Sequence, residues 1–191
     1  MVTMNEDASS GDAVRQILGA ARFAAEKHAR QKRKGHTGEP YINHLIEVAD
    51  LIAGSSRALD VNLVMAGLLH DTIEDTSVTA SELEQRFGSD VAGLVLEATD
   101  DKSLPKEVRK ALQVKNAPTR SPRAQTLKLA DKISNLRSLL TSPPTDWTAE
   151  LTRQYFEWAR EVVSGFTAPN AALKAEFDKA YAAGSDLPVP S

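Results

Sequence analysis

Apolar residues recur along this chain at intervals of three and four positions, the spacing that puts them on one face of an α-helix. The pattern runs through residues 13–30, where we expect Val14, Ile17, Leu18 and Ala21 to face the core. It returns at 40–54, from 60 into 70–75, at 79–87, from 89 onward, and at 121–141, 147–164 and 168–182. Alternating apolar and polar runs are never longer than a few residues, so the sequence predicts an all-α fold.

Polar residues and prolines mark where several of these helices begin and end. Thr79 opens a capping-box sequence, and Ser89 is expected to cap the helix that follows. Ser121 followed by Pro122 is a good N-cap and first-turn pair, because proline is tolerated where no backbone N–H is needed. The S-P-P run at 142–144 is expected to end that helix.

Length and the position of the periodic segments predict the domain organisation. The chain has 191 residues, enough for one substantial core and short for two domains. We expect one domain at 12–183. Residues 1–11 and 184–191 lack the periodic pattern and are expected to be flexible tails.

Composition narrows the classes of function. A formal net charge of −3 gives no reason to expect nucleic acid or an acidic membrane as a partner. The absence of cysteine excludes disulfides, thiolate zinc sites and a cysteine nucleophile, and it fits a cytoplasmic protein. The N-terminus is polar and acidic, unlike a signal peptide, and apolar stretches stay shorter than the roughly 20 residues of a membrane span. We therefore expect a soluble, cytoplasmic protein.

The most unusual polar cluster follows the apolar run at 64–69. His70, Asp71, Glu74 and Asp75 put four ionisable side chains within six positions, beside residues expected in the core. Unpaired charges are costly to bury, so the cluster indicates a bound cation. If the helix continued through residue 75, His70 and Glu74 would share one face, and so would Asp71 and Asp75. An exposed acidic helix end with an incidental histidine is the alternative, since structural ion pairs also cluster.

Two further segments carry candidate metal ligands. His44 lies in the first turns of its helix, and Asp131 lies in an apolar helical stretch with Asn135 one turn later on the same face. Taken singly, a helical histidine or aspartate is more often an ordinary core or surface side chain. Together with His70 and Asp71 they form a two-histidine, two-aspartate set. Such a set suits a divalent ion such as Mn, Mg, Fe or Zn and leaves octahedral positions for water and substrate.

Cations are concentrated just before the His44 helix, at Arg30, Lys32, Arg33 and Lys34. A solvated helix end explains such a run, because cations also complement the helix dipole. Nucleic-acid binding is the more specific alternative. However, aromatic residues are not interleaved with these cations, and the chain as a whole has no excess of basic over acidic residues.

The remaining histidines and the bulky aromatic residues carry no predicted chemistry. His28 is expected on a helix surface and His36 in a loop. Trp147, Phe156 and Trp158 are expected in the core or in a pocket wall.

Five strings along the chain resemble the HD-domain metal-dependent phosphohydrolases. They are R-K-x-x-x-G-E-P-Y-I-N-H at 33–44, H-D-T-I-E-D-T at 70–76, D-D-K-S-L-P-K at 100–106, L-A-D-K-I-S-N-L at 129–136 and Y-F-E-W-A at 155–159. In this order they are similar to the hydrolase domain of the RelA/SpoT family, most closely to its stand-alone small alarmone hydrolases of the metazoan SpoT-homologue type. The resemblance implies a bundle of about eight to ten helices around a single metal site.

The resemblance also assigns roles to residues of this chain. It implies that His44, His70, Asp71 and Asp131 hold manganese, although other divalent metals fit the same ligands. Arg33 would stack on the base or contact phosphate, and Lys34 would contact phosphate. The implied substrate-binding positions are Arg33, Lys34, Lys106, Asn135 and Tyr155.

The implied reaction is removal of pyrophosphate from the 3′ position of guanosine tetra- or pentaphosphate, the alarmones of the stringent response, leaving GDP or GTP. Glu74 and Asp75 would orient or deprotonate the attacking water and pass a proton to the leaving pyrophosphate. Two alternatives stay open: an HD phosphohydrolase that acts on another nucleotide such as NADPH, and a non-catalytic module that binds alarmone. The sequence does not set the oligomeric state.

Overall fold

The computed structural model describes residues 4–185 and contains, within that range, ten α-helices and one 3₁₀ turn. The elements are α1 (Met4–Lys27), α2 (Ile42–Gly54), α3 (Val61–Leu69), α4 (Thr72–Asp75), α5 (Ala80–Phe87), α6 (Ser89–Ala98), α7 (Lys106–Asn116), the 3₁₀ turn (Ala117–Thr119), α8 (Pro122–Thr141), α9 (Ala149–Ser164) and α10 (Ala171–Ser185). Sheet-type pairing among these residues is limited to one isolated antiparallel bridge, between Lys32 and Pro40. The all-α prediction is confirmed.

Two helices form the centre of the fold. Residues 63–69 of α3 are all buried, and because they are apolar on every side the helix packs against α1, α2 and α6 at once. Helix α8 is buried along most of its length and packs against α2 and α10. Since α3 ends at the His70-Asp71 pair and α8 carries Asp131, the core brings these polar groups together.

Side-chain caps fix where four helices begin. The N-cap side chains, each accepting a hydrogen bond from the backbone N–H three residues later, are Asp60 for α3, Thr79 for α5, Ser121 for α8 and Thr148 for α9. The predictions for Thr79 and Ser121 are confirmed. The prediction for Ser89 is wrong, because Gly88 is the N-cap of α6 and Ser89 is already helical. Gly88 has a φ of 87°, which glycine adopts without strain, so backbone freedom and not a serine hydroxyl separates α5 from α6.

The ends of the domain extend further than the sequence predicts. Helix α1 begins at Met4, so residues 4–11 are helical where a flexible tail is expected, and α10 continues to Ser185. No proline interrupts the segment before residue 13, so the first helix can extend toward the N-terminus. The rest of the two predicted tails, 1–3 and 186–191, lies outside the described residues.

The buried face of α1 also differs from the prediction. Ile17 and Ala21 are partly buried, but Val14 and Leu18 are 56% and 63% exposed. The helix packs on α3 through a neighbouring stripe that contains Phe23. Helical periodicity fits adjacent stripes almost equally well, and the large aromatic ring decides which one is buried.

The helix from Asp60 does not continue through Asp75. Helix α3 ends at Leu69, and Asp71 has φ −97° and ψ −1°, between the regular helical and extended regions. The Thr72 hydroxyl donates to the Leu69 carbonyl at 2.6 Å and closes the helix end. Successive side chains of a regular helix diverge by roughly 100°. The break therefore lets His70 and Asp71, adjacent in sequence, face the same point.

Helix α7 was not predicted. It begins after Pro105 without a side-chain cap, and Gln113 is its buried residue. Seven of its eleven residues are charged or polar, so few apolar positions mark it as a helix. Among the described helices, none has both the length and the apolar character required to cross a membrane.

Candidate metal centre and nucleotide cleft

The structure brings together His44 of α2, the His70-Asp71 pair that follows α3, and Asp131 of α8. The Asp71 Oδ2 atom lies 3.1 Å from His70 Nε2 and 3.7 Å from His44 Nε2. The Asp131 Oδ1 atom lies 3.4 Å from His44 Nε2 and 3.8 Å from His70 Nε2. Atoms that bind one ion at about 2.1 Å are about 3.0 Å apart at right angles and about 4.2 Å apart when opposite. His44, His70 and Asp131 each bring one ligand atom within 4.8 Å of the others, around a space suited to one metal ion, and Asp71 borders both imidazoles.

Contacts at Nδ1 orient the two imidazoles, so that Nε2 of each ring faces this space. His70 Nδ1 donates to the Gly67 carbonyl at 2.8 Å, and His44 Nδ1 lies 2.8 Å from the Ser134 hydroxyl. The buried His70 Nε2 has no hydrogen-bond partner among the described residues, although Asp71 is only 3.1 Å away. Because a buried ring nitrogen is normally satisfied, this orphaned atom fits a metal ligand better than a structural histidine.

Polar neighbours hold both carboxylates in place. The Tyr41 hydroxyl donates to Asp71 Oδ2 at 2.6 Å, and the Asn135 amide donates to Asp131 Oδ1 at 2.6 Å. Lys132 donates to Asp131 Oδ2 at 3.2 Å. Two carboxylate and two imidazole ligands, without thiolate, match the preferences of a borderline or hard divalent cation. The residues present therefore fit a divalent metal.

Charge pairing sets the protonation of the centre. Burial lowers the pKa of His44, which favours the neutral imidazole that a metal requires. Burial would also lower the pKa of His70, but the neighbouring Asp71 and Asp131 carboxylates outweigh it and raise that pKa to about 9. Burial opposes the charge on both aspartates, but the imidazoles, and for Asp131 mainly Lys132, lower the pKa of each carboxyl. Both aspartates are therefore ionised and available as ligands.

Glu74 and Asp75, on α4, border the centre without joining it. Glu74 accepts a hydrogen bond from the Asp100 backbone N–H at 3.3 Å and lies 3.5 Å from the Arg109 guanidinium. Burial, reinforced by the nearby Asp71 charge, raises the pKa of Glu74. Asp75 accepts from Gln31 at 2.6 Å and pairs with Lys102. The two carboxylates thus have different environments on the rim of the site.

A cleft of about 740 Å³ opens from the centre. Its walls include the described acidic residues of the centre and a larger number of cations, so it suits a polyanion that also reaches a metal. All five residues implied as substrate contacts line it, namely Arg33, Lys34, Lys106, Asn135 and Tyr155. The volume is in the range of cavities that hold small-molecule ligands.

The cleft residues are pre-arranged by contacts with one another. Arg33 donates to the Asn135 side-chain oxygen at 3.1 Å, which links the basic segment to α8. Tyr155 packs between Trp147 and Trp158, with ring centroids 5.8 and 5.2 Å away. All three aromatic residues line the cleft, so the prediction that Trp147 and Trp158 lie in the core or in a pocket wall is confirmed. Phe156 is buried in the core, as expected.

Three cleft residues were missed by the sequence analysis. Tyr41 holds Asp71, as described above. Lys132 is only 2% exposed and lies 4.4 Å from the centre of the Trp158 ring. Lys128 is 6% exposed and has neither a hydrogen bond nor an ion pair within residues 4–185, and burial lowers its pKa. The only signal for the lysines was their i, i+4 spacing inside the apolar run L-K-L-A-D-K.

The two histidines outside the centre differ in their environments. His36 is exposed in the loop, as predicted. His28 is 2% exposed, so its predicted surface position is wrong. Its ring stacks on Tyr41 at 5.3 Å and its Nδ1 lies 2.6 Å from Gln31. The chain turns immediately after α1, and the segment that follows covers this ring.

Comparison with known proteins agrees with this geometry. Residues 20–157 match the HD domain family. The chain is 48% identical over 164 residues to the Homo sapiens protein named guanosine-3′,5′-bis(diphosphate) 3′-pyrophosphohydrolase MESH1, covering 86% of this chain and 92% of that protein. The Drosophila melanogaster protein of the same name is 46% identical over 166 residues, covering 87% and 93%.

A solved structure shows the same fold. The structure of a metazoan orthologue of SpoT that hydrolyses ppGpp matches with a TM-score of 0.84 and 44% identity, covering 87% of this chain and 94% of that one. The fold and the paired histidines and aspartates define an HD-domain protein. Within that class, the chain belongs to the MESH1 family of HD-domain hydrolases.

Proposed function

We propose that this protein is a manganese-dependent 3′-pyrophosphohydrolase that converts guanosine tetra- or pentaphosphate to GDP or GTP and pyrophosphate. The observation that carries the proposal is the convergence of two imidazoles and two carboxylates at one end of a cationic cleft. The identity of 46–48% with MESH1 hydrolases supports the same substrate class. The proposed partner is the nucleotide alone, in the cytoplasm, with no role for nucleic acid or membrane.

In this proposal His44, His70, Asp71 and Asp131 hold the metal. A divalent ion held there would lower the pKa of a bound water toward roughly 7 and would neutralise charge on the phosphoryl oxygens. The ligand atoms of His44, His70 and Asp131 already lie within 4.8 Å of one another, and each described histidine–aspartate pair is 3.8 Å apart or closer. Manganese is preferred to zinc in the proposal because the set lacks thiolate and leaves octahedral positions free.

Glu74 and Asp75 are the proposed acid–base pair. Water attacks the phosphorus bonded to the ribose 3′ oxygen, so that oxygen is the leaving group and needs a proton. The raised pKa of Glu74 suits the donor of this proton, because a donor must be protonated near the working pH. Asp75 is paired with Lys102 and suits the complementary role of orienting the attacking water. Both lie one turn beyond the ligands, so neither has to leave the metal to act.

The cleft supplies the proposed substrate contacts. Arg33 stacks on the base or contacts phosphate, since a planar guanidinium serves both purposes, and Lys34 contacts phosphate as a point charge. In this proposal Lys106 contacts the 5′ phosphates and Asn135 contacts the sugar, while Tyr155 belongs to the aromatic part of the pocket lining. The buried Lys128 and Lys132 add positive charge near the phosphoryl group.

The test is incubation of the purified protein with guanosine tetraphosphate and manganese, followed by product identification. We expect GDP and intact pyrophosphate, with little orthophosphate as primary product. A parallel panel should include NADPH and other sugar-phosphorylated nucleotides. Orthophosphate from one of these, without pyrophosphate from guanosine tetraphosphate, would assign the chain to another nucleotide. Tight binding of alarmone without turnover of any nucleotide would make it a binding module.

A further inference from the structure

The two histidines of the centre are held in different ways. His70 Nδ1 is bonded to a backbone carbonyl, which no side-chain substitution removes. His44 Nδ1 lies 2.8 Å from the hydroxyl of Ser134, a fully buried residue of α8. The Ser134 hydroxyl in turn donates to Glu47 Oε2, at 2.6 Å. His44 is thus connected to a carboxylate through one hydroxyl.

The chemistry of the three groups fixes where their protons lie. A carboxylate only accepts hydrogen bonds, so the single proton of Ser134 must point toward Glu47. The Ser134 oxygen is then left to accept, and His44 Nδ1 must be the donor. With its proton on Nδ1, the neutral His44 ring presents the lone pair of Nε2 to the space between Asp71 and Asp131.

Glu47 is itself held in position. Its Oε1 accepts from Arg137 at 3.3 Å, and Arg137 also pairs with Glu176 of α10 at 2.9 Å. Glu47 and Arg137 border a second, small cavity of about 190 Å³, which His44 and Glu39 also line. The Glu47 side chain is therefore partly exposed, while Ser134 connects it to a buried ring.

We propose that Ser134 and Glu47 are positioning residues that lock His44 as the Nδ1–H tautomer and strengthen its Nε2 as a metal ligand. The inference rests on the metal site of the proposed function. Groups that accept the second N–H of a ligating histidine raise its basicity and fix its ring, and their removal typically weakens metal binding about 10- to 100-fold.

The test compares manganese affinity, measured from the free Mn²⁺ signal by electron paramagnetic resonance, across matched variants. We expect Ser134→Ala and Glu47→Gln to raise Kd by about tenfold or more. Ser134→Thr keeps the hydroxyl and should recover most of the affinity. Glu39→Gln removes a carboxylate from the same small cavity without touching the relay, and it should bind manganese like the wild type. At saturating manganese, KM for the nucleotide should change little in every variant.

A second readout follows the ring itself. In histidine-labelled wild-type protein, nitrogen NMR should show His44 as the Nδ1–H tautomer, whereas Ser134→Ala should populate both tautomers. Glu47 is partly exposed, so Glu47→Gln is expected to fold even if Ser134→Ala does not. Unchanged Kd and an unchanged tautomer in Glu47→Gln, or in a folded Ser134→Ala, would overturn the inference.

Failure of the inference can be told apart from failure of the proposed function. If the wild type and the variants bind manganese with the expected differences in Kd but the wild type releases no pyrophosphate, only the proposed reaction is contradicted. Normal pyrophosphate release with identical Kd in all variants would sink only the relay. Absence of manganese binding by the wild type would overturn both.

Discussion

At the scale of single residues, the His70-Asp71 pair occupies positions that are unfavourable without a cation. Both side chains are largely buried, and His70 Nε2 has no hydrogen-bond partner among the described residues. The neighbouring carboxylates of Asp71 and Asp131 repel one another unless a positive charge lies between them, and a divalent ion supplies more charge there than one protonated imidazole.

Replacement of His70 or Asp71 by alanine should abolish manganese retention and turnover together. The remaining three ligand side chains cannot replace a missing one without moving a helix of the core. Metal content after desalting, measured by elemental analysis, tests this alongside pyrophosphate release. His36→Ala is the matched control, because His36 is exposed in a loop and should leave both quantities unchanged. A His70→Ala protein with full metal content would remove His70 from the ligand set.

Substitution of the rim carboxylates should separate chemistry from binding. Glu74→Gln and Asp75→Asn should cut kcat by about 10²-fold or more while metal content is kept, the usual scale for losing a positioned acid–base group. The measurement compares turnover rates of the variants and the wild type, with metal content determined on the same samples. Glu84→Gln, exposed on α5, serves as the control. If both rim variants keep near-normal turnover, their carboxylates are structural and the metal centre acts without them.

At the scale of elements, Asp60 fixes the start of the helix that delivers the His70-Asp71 pair. Its side chain caps α3 through the Leu63 N–H at 3.0 Å and also receives two hydrogen bonds from Arg123 of α8, at 2.8 and 2.9 Å. One carboxylate therefore sets both the beginning of α3 and its position against α8. Helix α8 also carries Asp131, so the contact between Asp60 and Arg123 joins the two helices that position the centre.

Loss of the Asp60 cap should be measurable as stability. Asp60→Ala should lower the free energy of unfolding by about 0.5–2 kcal/mol, the range for removing an N-cap side chain. Asp60→Asn keeps a capping oxygen and should cost less, because mainly the pairing with the half-exposed Arg123 is weakened. Urea unfolding followed by circular dichroism compares the two with Asp50→Ala, an exposed aspartate within α2. Equal stability of Asp60→Ala and the wild type would show that the cap contributes nothing here.

At the scale of the whole molecule, the proposed ligands come from α2, the segment after α3, and α8, so a metal bound by them would link three separate parts of the core. A ligand that binds only the folded state stabilises it by about 2.7 kcal/mol at a hundred times its Kd. Unfolding the domain would have to separate all of these ligands, so metal binding and global folding are coupled.

Manganese should therefore raise Tm. For a domain of this size the increase expected at a hundred times Kd is about 5–10 °C, and excess EDTA should reverse it. Differential scanning calorimetry with and without manganese tests this. His70→Ala should show no increase under the same conditions. An equal rise in both proteins would indicate non-specific manganese binding elsewhere on the protein.

The sequence by itself determined the helices whose signals are local. Thr79 and Ser121 cap their helices because the hydroxyl of each lies within reach of a backbone N–H only three residues away. The all-α class likewise follows from periodicity that each segment carries on its own. The order of His44, the His70-Asp71 pair and Asp131 predicted one metal centre only through the family resemblance. Residues so far apart along the chain give no direct sign that they lie close together in space.

Tertiary structure decided the features that depend on contacts between distant segments. Packing buries the stripe of α1 that contains Phe23 and leaves the one that contains Leu18 exposed, and it also buries His28. The Ser134–Glu47 bond joins residues 87 positions apart, and the break after α3 turns two adjacent side chains toward one point. A helix cap is stabilised by one hydrogen bond between residues close in sequence. The contacts between distant segments are instead stabilised by the summed burial of several helices, which becomes available only once the whole core has assembled.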